Sequence, residues 1–218
     1  VVGAQLSAVL NDLGADMMHL LHGEQDMTFR ALVRPGDVIT STSKIDAIVE
    51  KHTGELLVIA ITSKNQRGAV VLEAKSGLFI RGPRRSSSKG GDDQEKAEKE
   101  KEEAAWQALP QSYTDVVVVA ADQSKRYAEA SGDHNPIHLD EDVAKMAGLP
   151  SIILHGLCTM AFVHESLVRH FGGAPDVVKR LAVRFNKPVL MGDTLTIDVR
   201  GPLDRAGKRP EDGAQRRR

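Results

Sequence analysis

Apolar and polar positions change their period several times along the chain, and each change marks an element. Val2, Leu6, Val9, Leu10 and Leu13 recur near helical spacing, and Gly14 offers a stop. Met17, Met18, Leu20 and Leu21 then resume the apolar run, so residues 1–21 read as the end of a helix. After His22-Gly23 the period falls to two. Along Asp37 to Glu50, Ile39, Ile45, Ala47 and Val49 share one face, while Thr40, Thr42, Lys44, Asp46 and Glu50 share the other. Lys51-His52-Thr53-Gly54 is a turn, Glu55 to Lys64 a second strand, Asn65-Gln66-Arg67-Gly68 another turn, and Ala69 to Arg81 a third strand. In the third, Val70, Leu72, Ala74, Leu78 and Ile80 have a parity opposite to Glu73 and Lys75. Three strands joined by short polar turns predict an antiparallel meander with one buried face.

Arg84 to Glu103 follows no period. Ser86 to Gly91 has flexible-linker chemistry and Asp92 to Glu103 is almost wholly charged, which predicts a solvated, partly helical linker. Trp106, the only tryptophan, is placed to pin its far end to a domain surface. The domains expected are therefore residues 1–82, a charged flexible linker over 83–110, and residues 111–218. In the last, Val116 to Ala120 reads as a short buried strand. Asp122 can cap a helix through Ala130, and Asp140 another through Ala147, which Gly148-Leu149-Pro150 ends. Ile152 to Phe171 is apolar on nearly all sides until Gly172-Gly173, the pattern of a buried helix. Leu181, Val183 and Phe185 alternate with polar residues, as do Leu195, Ile197 and Val199, giving two further strands.

The two halves share a pattern. Phe29-x-x-x-Val33-x-x-Gly36-Asp37-x-x-Thr40 recurs as Phe185-x-x-x-Val189-x-x-Gly192-Asp193-x-x-Thr196, and His22-Gly23 recurs as His155-Gly156. An apolar helical segment, a strand, a Gly-Asp turn and a second strand are thus written twice.

With 218 residues, 41% of them hydrophobic, and a net charge of −1, the chain has an ordinary globular profile that gives no reason to expect nucleic acid or a membrane as partner. No apolar stretch reaches the ~20 residues that span a bilayer. The single cysteine, Cys158, excludes an intrachain disulfide. It lies in the apolar helical run, where a small buried hydrophobe is the better reading than a nucleophile.

Chemistry concentrates in Ser131-Gly132-Asp133-His134-Asn135-Pro136-Ile137-His138. Gly132 permits backbone angles closed to other residues, and Pro136 holds Asn135 extended. A stiffened loop of this kind can aim a carboxylate and an imidazole at one water, as an acid–base pair requires. Taken singly, Asp133 is as well explained as a loop cap and His138 as a satisfied histidine. His134-x-x-x-His138 beside Asp133 also has metal-ligand spacing, but a proline-containing loop need not turn both rings the same way, and no metal is expected. Ser131 lacks a G-x-S-x-G elbow, which argues against a serine hydrolase.

Tyr127-Ala-Glu-Ala-Ser131-Gly-Asp133-His-Asn135-Pro136-Ile-His138, followed by Ala144, resembles the signature of the MaoC-like, R-specific enoyl-CoA hydratases (hydratase 2). Leu154-His155-Gly156 resembles that family's second feature, at the start of its central helix. One departure is Ala130, where the pattern prefers a larger aliphatic residue. The resemblance covers residues 115–200 well and the N-terminal half more loosely.

The resemblance implies an α+β double hot-dog: two antiparallel sheets, each wrapped around a buried helix. It assigns catalysis to Asp133 and His138, with either one as base. Asn135 orients the loop or His138, and Ser131 and His155 have supporting roles. The Gly156 N–H, at a helix N-terminus, is suited to hold the negative charge that develops on a thioester oxygen. The expected reaction is hydration of a trans-2-enoyl-CoA to the (3R)-hydroxyacyl-CoA, or the reverse, without a cofactor. The substrate would be an acyl-CoA or acyl-carrier-protein thioester, and the enzyme a homodimer in the cytoplasm or, in a eukaryote, the peroxisomal matrix. His22-Gly23 has no Asp/His loop of its own, so the N-terminal repeat is expected to be non-catalytic and to widen the acyl-binding space. Competing readings are a non-catalytic acyl-thioester-binding subunit of a dehydratase complex and a hot-dog thioesterase. Both repeats are short of a full sheet, and Gly201 to Arg218 reads as disordered, so flanking segments or partner chains are expected to cover the open edges.

Overall fold

Alternation of apolar and polar residues over residues 55–80 gives the sheet of the N-terminal half its dry face. In a computed structural model of the chain, which describes residues 20–51, 54–81, 89–174 and 176–201, the strands are β1 (Leu20–Phe29), β2 (Thr40–Lys51), β3 (Gly54–Lys64) and β4 (Val70–Arg81). They form an antiparallel sheet ordered β2-β3-β4-β1-β6, in which β6 (Arg180–Arg184) comes from the far end of the chain. Leu57 faces Leu78, Ile61 faces Ala74, and with Leu20 and Ile59 they make the buried core of this half. Asn65 shapes the β3–β4 turn by accepting from the Arg67 and Ala69 amides on its side-chain oxygen.

Residues 82–88 of the expected linker, Ser86 to Ser88 among them, lie outside the described residues, and the charged run carries a helix, α1 (Lys89–Gln107). It is tied down by an ion pair of 2.8 Å from Glu102 to Arg184, and Trp106 lies beneath the Arg200 guanidinium at 4.8 Å. Beyond it, β5 (Gln111–Val118) pairs with β7 (Thr194–Arg200) as a second, two-stranded sheet. Between these come α2 (Gln123–Ser131), a single 3-10 turn (Pro136–His138), α3 (Glu141–Met146) and α4 (Gly156–His170).

The repeated Gly-Asp pattern is a repeated turn. Gly36 and Gly192 both adopt positive φ, 90° and 87°, and each following aspartate accepts from the amide three residues back: Arg34 to Asp37 at 2.9 Å, Leu190 to Asp193 at 2.8 Å. The strands preceding these turns, β1 and β6, lie side by side, so the repeats meet strand to strand. Arg180 seals that junction with a two-pronged ion pair to Asp26, at 2.9 and 2.6 Å.

Several expectations are corrected. Residues 1–19 of the expected helix lie outside the described residues, as do His52-Thr53 of the first turn and the tail beyond Gly201. Leu20 and Leu21 open β1 instead, because cross-strand pairing with Ile80 and Phe79 outweighs their local period. His22-Gly23 is therefore within a strand and is not a second helix start. In β2 the row of Ile45, Ala47 and Val49 does not survive as a buried face. A bulge at Asp46 breaks the parity, and Ile45, Ile48 and Val49 are exposed on what is the edge strand. Val116 and Val118 are likewise exposed, so β5 is longer and less buried than the sequence suggests. The Asp122 side chain makes no cap and instead pairs with Arg126, whereas Asp140 caps α3 through the Asp142 and Val143 amides. Finally, α4 starts at Gly156. Ile153 and Leu154 are held extended by bridges to Leu190 and Val189, and only Cys158, Met160 and Ser166 of the helix are buried.

This burial map separates side chains that look alike in sequence. Leu78→Ala is expected to cost about 2–5 kcal/mol of stability. Ile48→Ala, 58% exposed, should stay within about 0.5 kcal/mol. Urea midpoints of the two variants check the difference, and equal losses would contradict it.

Candidate active site

Each polar residue of the 131–138 loop fixes the next. Gly132 ends α2 in the left-handed region, φ 75°, with its N–H on the Ala128 carbonyl. The Ser131 hydroxyl donates to the Tyr127 carbonyl at 2.7 Å and accepts from the Asp133 amide at 3.2 Å. One Asp133 carboxylate oxygen accepts from the Asn135 amide at 3.2 Å, and the Asn135 side-chain oxygen accepts from the Ile137 amide at 3.3 Å. Pro136 then starts the 3-10 turn with its φ already set, and His138 leaves it pointing inward, 8% exposed. Asn135 thus orients the loop and caps the turn, and Ser131 is a prop for Asp133.

A second strip of backbone meets this loop. Ile153 bonds through its amide to the Ile137 carbonyl and through its carbonyl to His138 Nδ1, at 2.8 Å. His155 Nε2 reaches the Asp133 carbonyl at 3.0 Å. The two imidazoles stack at 3.8 Å with 26° between their planes, and Tyr127 lies against His155 at 4.9 Å. Asp133, His138 and His155 each offer one polar atom, all within 4.8 Å of one another.

These contacts set the protonation states. A carbonyl oxygen can only accept, so His138 carries its proton on Nδ1 and His155 on Nε2. Burial, together with the adjacent His155, pushes His138 down to about 4, and burial also lowers His155. Both rings are therefore neutral near pH 7, with lone pairs on His138 Nε2 and His155 Nδ1. The latter atom is buried and has no hydrogen-bond partner among the described residues. Burial also raises the Tyr127 hydroxyl to about 12, which keeps it protonated. The arrangement can hold a water or hydroxyl between a carboxylate and a neutral imidazole.

Carboxylate and two imidazoles are also a metal-ligand set by type. The two rings, however, lie in planes only 26° apart and stacked at 3.8 Å, and one ion cannot lie close to both rings and in both planes, so the set fits a metal poorly. His134 is exposed and is not part of the cluster. Cys158 is buried and free, with burial raising its thiol, which suits the apolar role expected of it.

Gly156 begins α4, where the first amides lack helical partners. His155 sits at the cap position but makes no side-chain cap, because its ring is engaged by Asp133. A Cβ at residue 156 would lie 3.1 Å from the Phe185 ring, a contact so tight that the ring would have to give by a few tenths of an ångström to admit it. Sequence reasoning placed Asp133, Ser131, Asn135, His138, His155 and Gly156 together, but missed Ile153 and Phe185. The Ile153 contribution is a carbonyl, which no side chain advertises. Phe185 was visible as a repeat position only.

The profile of the MaoC like domain matches residues 98–216, and that of the FAS1-like, dehydratase domain region matches residues 1–74. A Dictyostelium discoideum protein named "Probable enoyl-CoA hydratase 2" is 31% identical over 198 residues, which is 89% of this chain and 65% of the relative. The peroxisomal multifunctional enzyme type 2 of Drosophila melanogaster is 30% identical over 198 residues, 32% of its length. Its full-length structure superposes with a TM-score of 0.67 over 88% of this chain and 34% of that one, at 26% identity. A Mycobacterium tuberculosis protein described as having a double hotdog fold matches with a TM-score of 0.51 over 83% of this chain and 62% of its own, at 13% identity. The chain spans less than two thirds of the length of either curated relative. The match of the MaoC like domain across more than half of these residues, on an α+β architecture shared with a double hot-dog protein, shows that the chain belongs to the MaoC-like dehydratase family.

Proposed function

We propose that this chain catalyses the R-specific hydration of trans-2-enoyl-CoA to (3R)-hydroxyacyl-CoA, or the reverse dehydration, on a CoA or carrier-protein thioester. The observation that carries the reading is a carboxylate oxygen of Asp133 within 4.8 Å of a ring nitrogen of the neutral, buried His138, on one loop held by its own hydrogen bonds. It is supported by the names of the relatives. In hydration, a water held between Asp133 and His138 loses a proton to the pair as its oxygen bonds to the β carbon. The C=C electrons move toward the thioester carbonyl, whose oxygen takes up negative charge against the Gly156 N–H. The pair then delivers a proton to the α carbon, so that one water is added and both groups return to their starting states. His155 holds the Asp133 backbone, and Ser131 and Asn135 hold its loop. Residues 111–218 carry the chemistry, while the N-terminal repeat, residues 1–82, shapes the acyl space. We further propose a homodimer, in the peroxisomal matrix of a eukaryote, as the Drosophila relative's name suggests, and otherwise in the cytoplasm.

On crotonyl-CoA, Asp133→Asn and His138→Gln should each lower kcat by ~10²–10⁴ with little change in KM. The double variant should be little worse than the poorer single, since groups acting as a unit are non-additive. Loss of the conjugated enoyl absorbance follows the reaction, and chiral analysis of the product checks the 3R configuration. Release of free thiol instead would identify a thioesterase. A wild-type chain that binds crotonyl-CoA without turning it over would identify a binding subunit.

The low His138 value sets a pH dependence. Hydration needs the neutral ring, so kcat/KM should hold level from pH 8 to 5 and fall as pH drops through about 4. An inflection near 6.5 would contradict the buried, neutral histidine. Stability should move in the same direction. Between about 6.5 and about 4 the unfolded chain binds the proton that folded His138 does not, so stability is full above that window and drains within it. His138→Gln should flatten that slope in pH-dependent denaturant melts.

A further inference from the structure

The N-terminal half holds a buried polar chain that its apolar core does not need. Strand residues three apart normally point to opposite faces, yet His22 Nε2 lies 3.1 Å from the Gln25 side-chain oxygen. The cause is a register break between His22 and Glu24: Gly23 is an extra residue in β1, and the bulge swings His22 onto the face of Gln25. The same Gln25 oxygen accepts from the Ser76 hydroxyl at 2.7 Å. Gln25 and Ser76 are 1% and 0% exposed, directly opposite each other on β1 and β4. The buried Gln25 and Ser76, the latter opposite Ile59, are tolerable because they bond to each other, and the bond from half-buried His22 to Gln25 fixes the rotation of its ring.

His22 then meets Phe185 edge to face, with ring centroids 5.2 Å apart. The Phe185 amide donates to the Gly23 carbonyl at 2.8 Å, so the bulge anchors the backbone as well as the ring contact. The Phe185 ring is also the group that comes within 3.1 Å of the Cβ position of Gly156. Ser76, Gln25, His22, Phe185 and Gly156 form one line of contact from the core of the first half to the start of α4.

Resting on the reaction proposed above, we infer that His22 is a positioning residue: it braces Phe185 against Gly156 and so sets where the Gly156 N–H meets the thioester oxygen. Charge on that oxygen is greatest in the transition state, so the brace acts on kcat more than on KM.

The test uses the full chain and two readouts, crotonyl-CoA hydration and hydrogen exchange of the Gly156 amide. His22→Ala should lower kcat by roughly 10–100-fold with KM nearly constant, as a small misplacement at a reacting centre does. It should also speed Gly156 exchange about tenfold, through easier local opening. His22→Phe restores a ring edge and should recover most of both. With His22→Ala added, Phe185→Ala should be no slower than Phe185→Ala alone, because one line of contact is broken once. If His22→Ala does not fold, Gln25→Met keeps the ring but frees its rotation, and should shift both readouts in the same direction by less. Unchanged kcat and exchange, a loss confined to KM, or multiplying losses would overturn the brace. A wild-type chain inactive on crotonyl-CoA would overturn the reaction instead, and the exchange readout would still decide the brace.

Discussion

The buried hydrogen bond from His138 to the Ile153 carbonyl holds the site together in both a mechanical and an electrical sense. It pins a ring delivered by one segment to a backbone strip delivered by another, fifteen residues on. It also dictates which nitrogen bears the proton, and so which one keeps a lone pair. The bond from His155 to the Asp133 carbonyl repeats the device in the opposite direction. Because burial disfavours charge on both imidazoles, neither ring is drawn toward the carboxylate as an ion pair. The carboxylate is left available to water or substrate.

That strip of backbone is itself positioned by the fold. Ile153 and Leu154 run extended because they bond to Leu190 and Val189, which belong to the turn closed by Asp193. The turn in turn bonds to Val119, where β5 hands over to the segment before α2. In the other direction β6 joins the sheet of the first half, with Arg180 and Asp26 locking the seam. The strand that precedes the Gly192 turn is thus shared between the halves, and the site has one continuous support.

Much of this is legible in the sequence. Glycine, proline and short polar side chains at 131–138 announce a stiff loop because their conformational limits act locally, whatever the surroundings. The strands of the meander were legible for the same reason, since alternation needs only one buried face. What failed was non-local. Leu20 and Leu21 look helical, and only their partners on β4 make them a strand. The apolar row of β2 looks buried, but one extra residue at Asp46 breaks it, and no composition signal marks a bulge. His22-Gly23 and His155-Gly156 are the same two letters with different structures, one a bulge in a strand and one the start of a helix. The Gly36 and Gly192 turns show the opposite case, where identical letters carry identical bonds.

The bonds made by side-chain oxygens of the 131–138 loop close over only two residues, apart from the Ser131 hydroxyl bond back to Tyr127. Short closures sacrifice little chain entropy and form quickly, so the loop can take shape while the rest of the chain is still collapsing. The two imidazole anchors span 15 and 22 residues and must wait for the 152–155 strip to arrive. The chain therefore acquires the outline of its site early and the proton placement of that site late. Partial unfolding should run in reverse, erasing the tautomers while the loop still looks native.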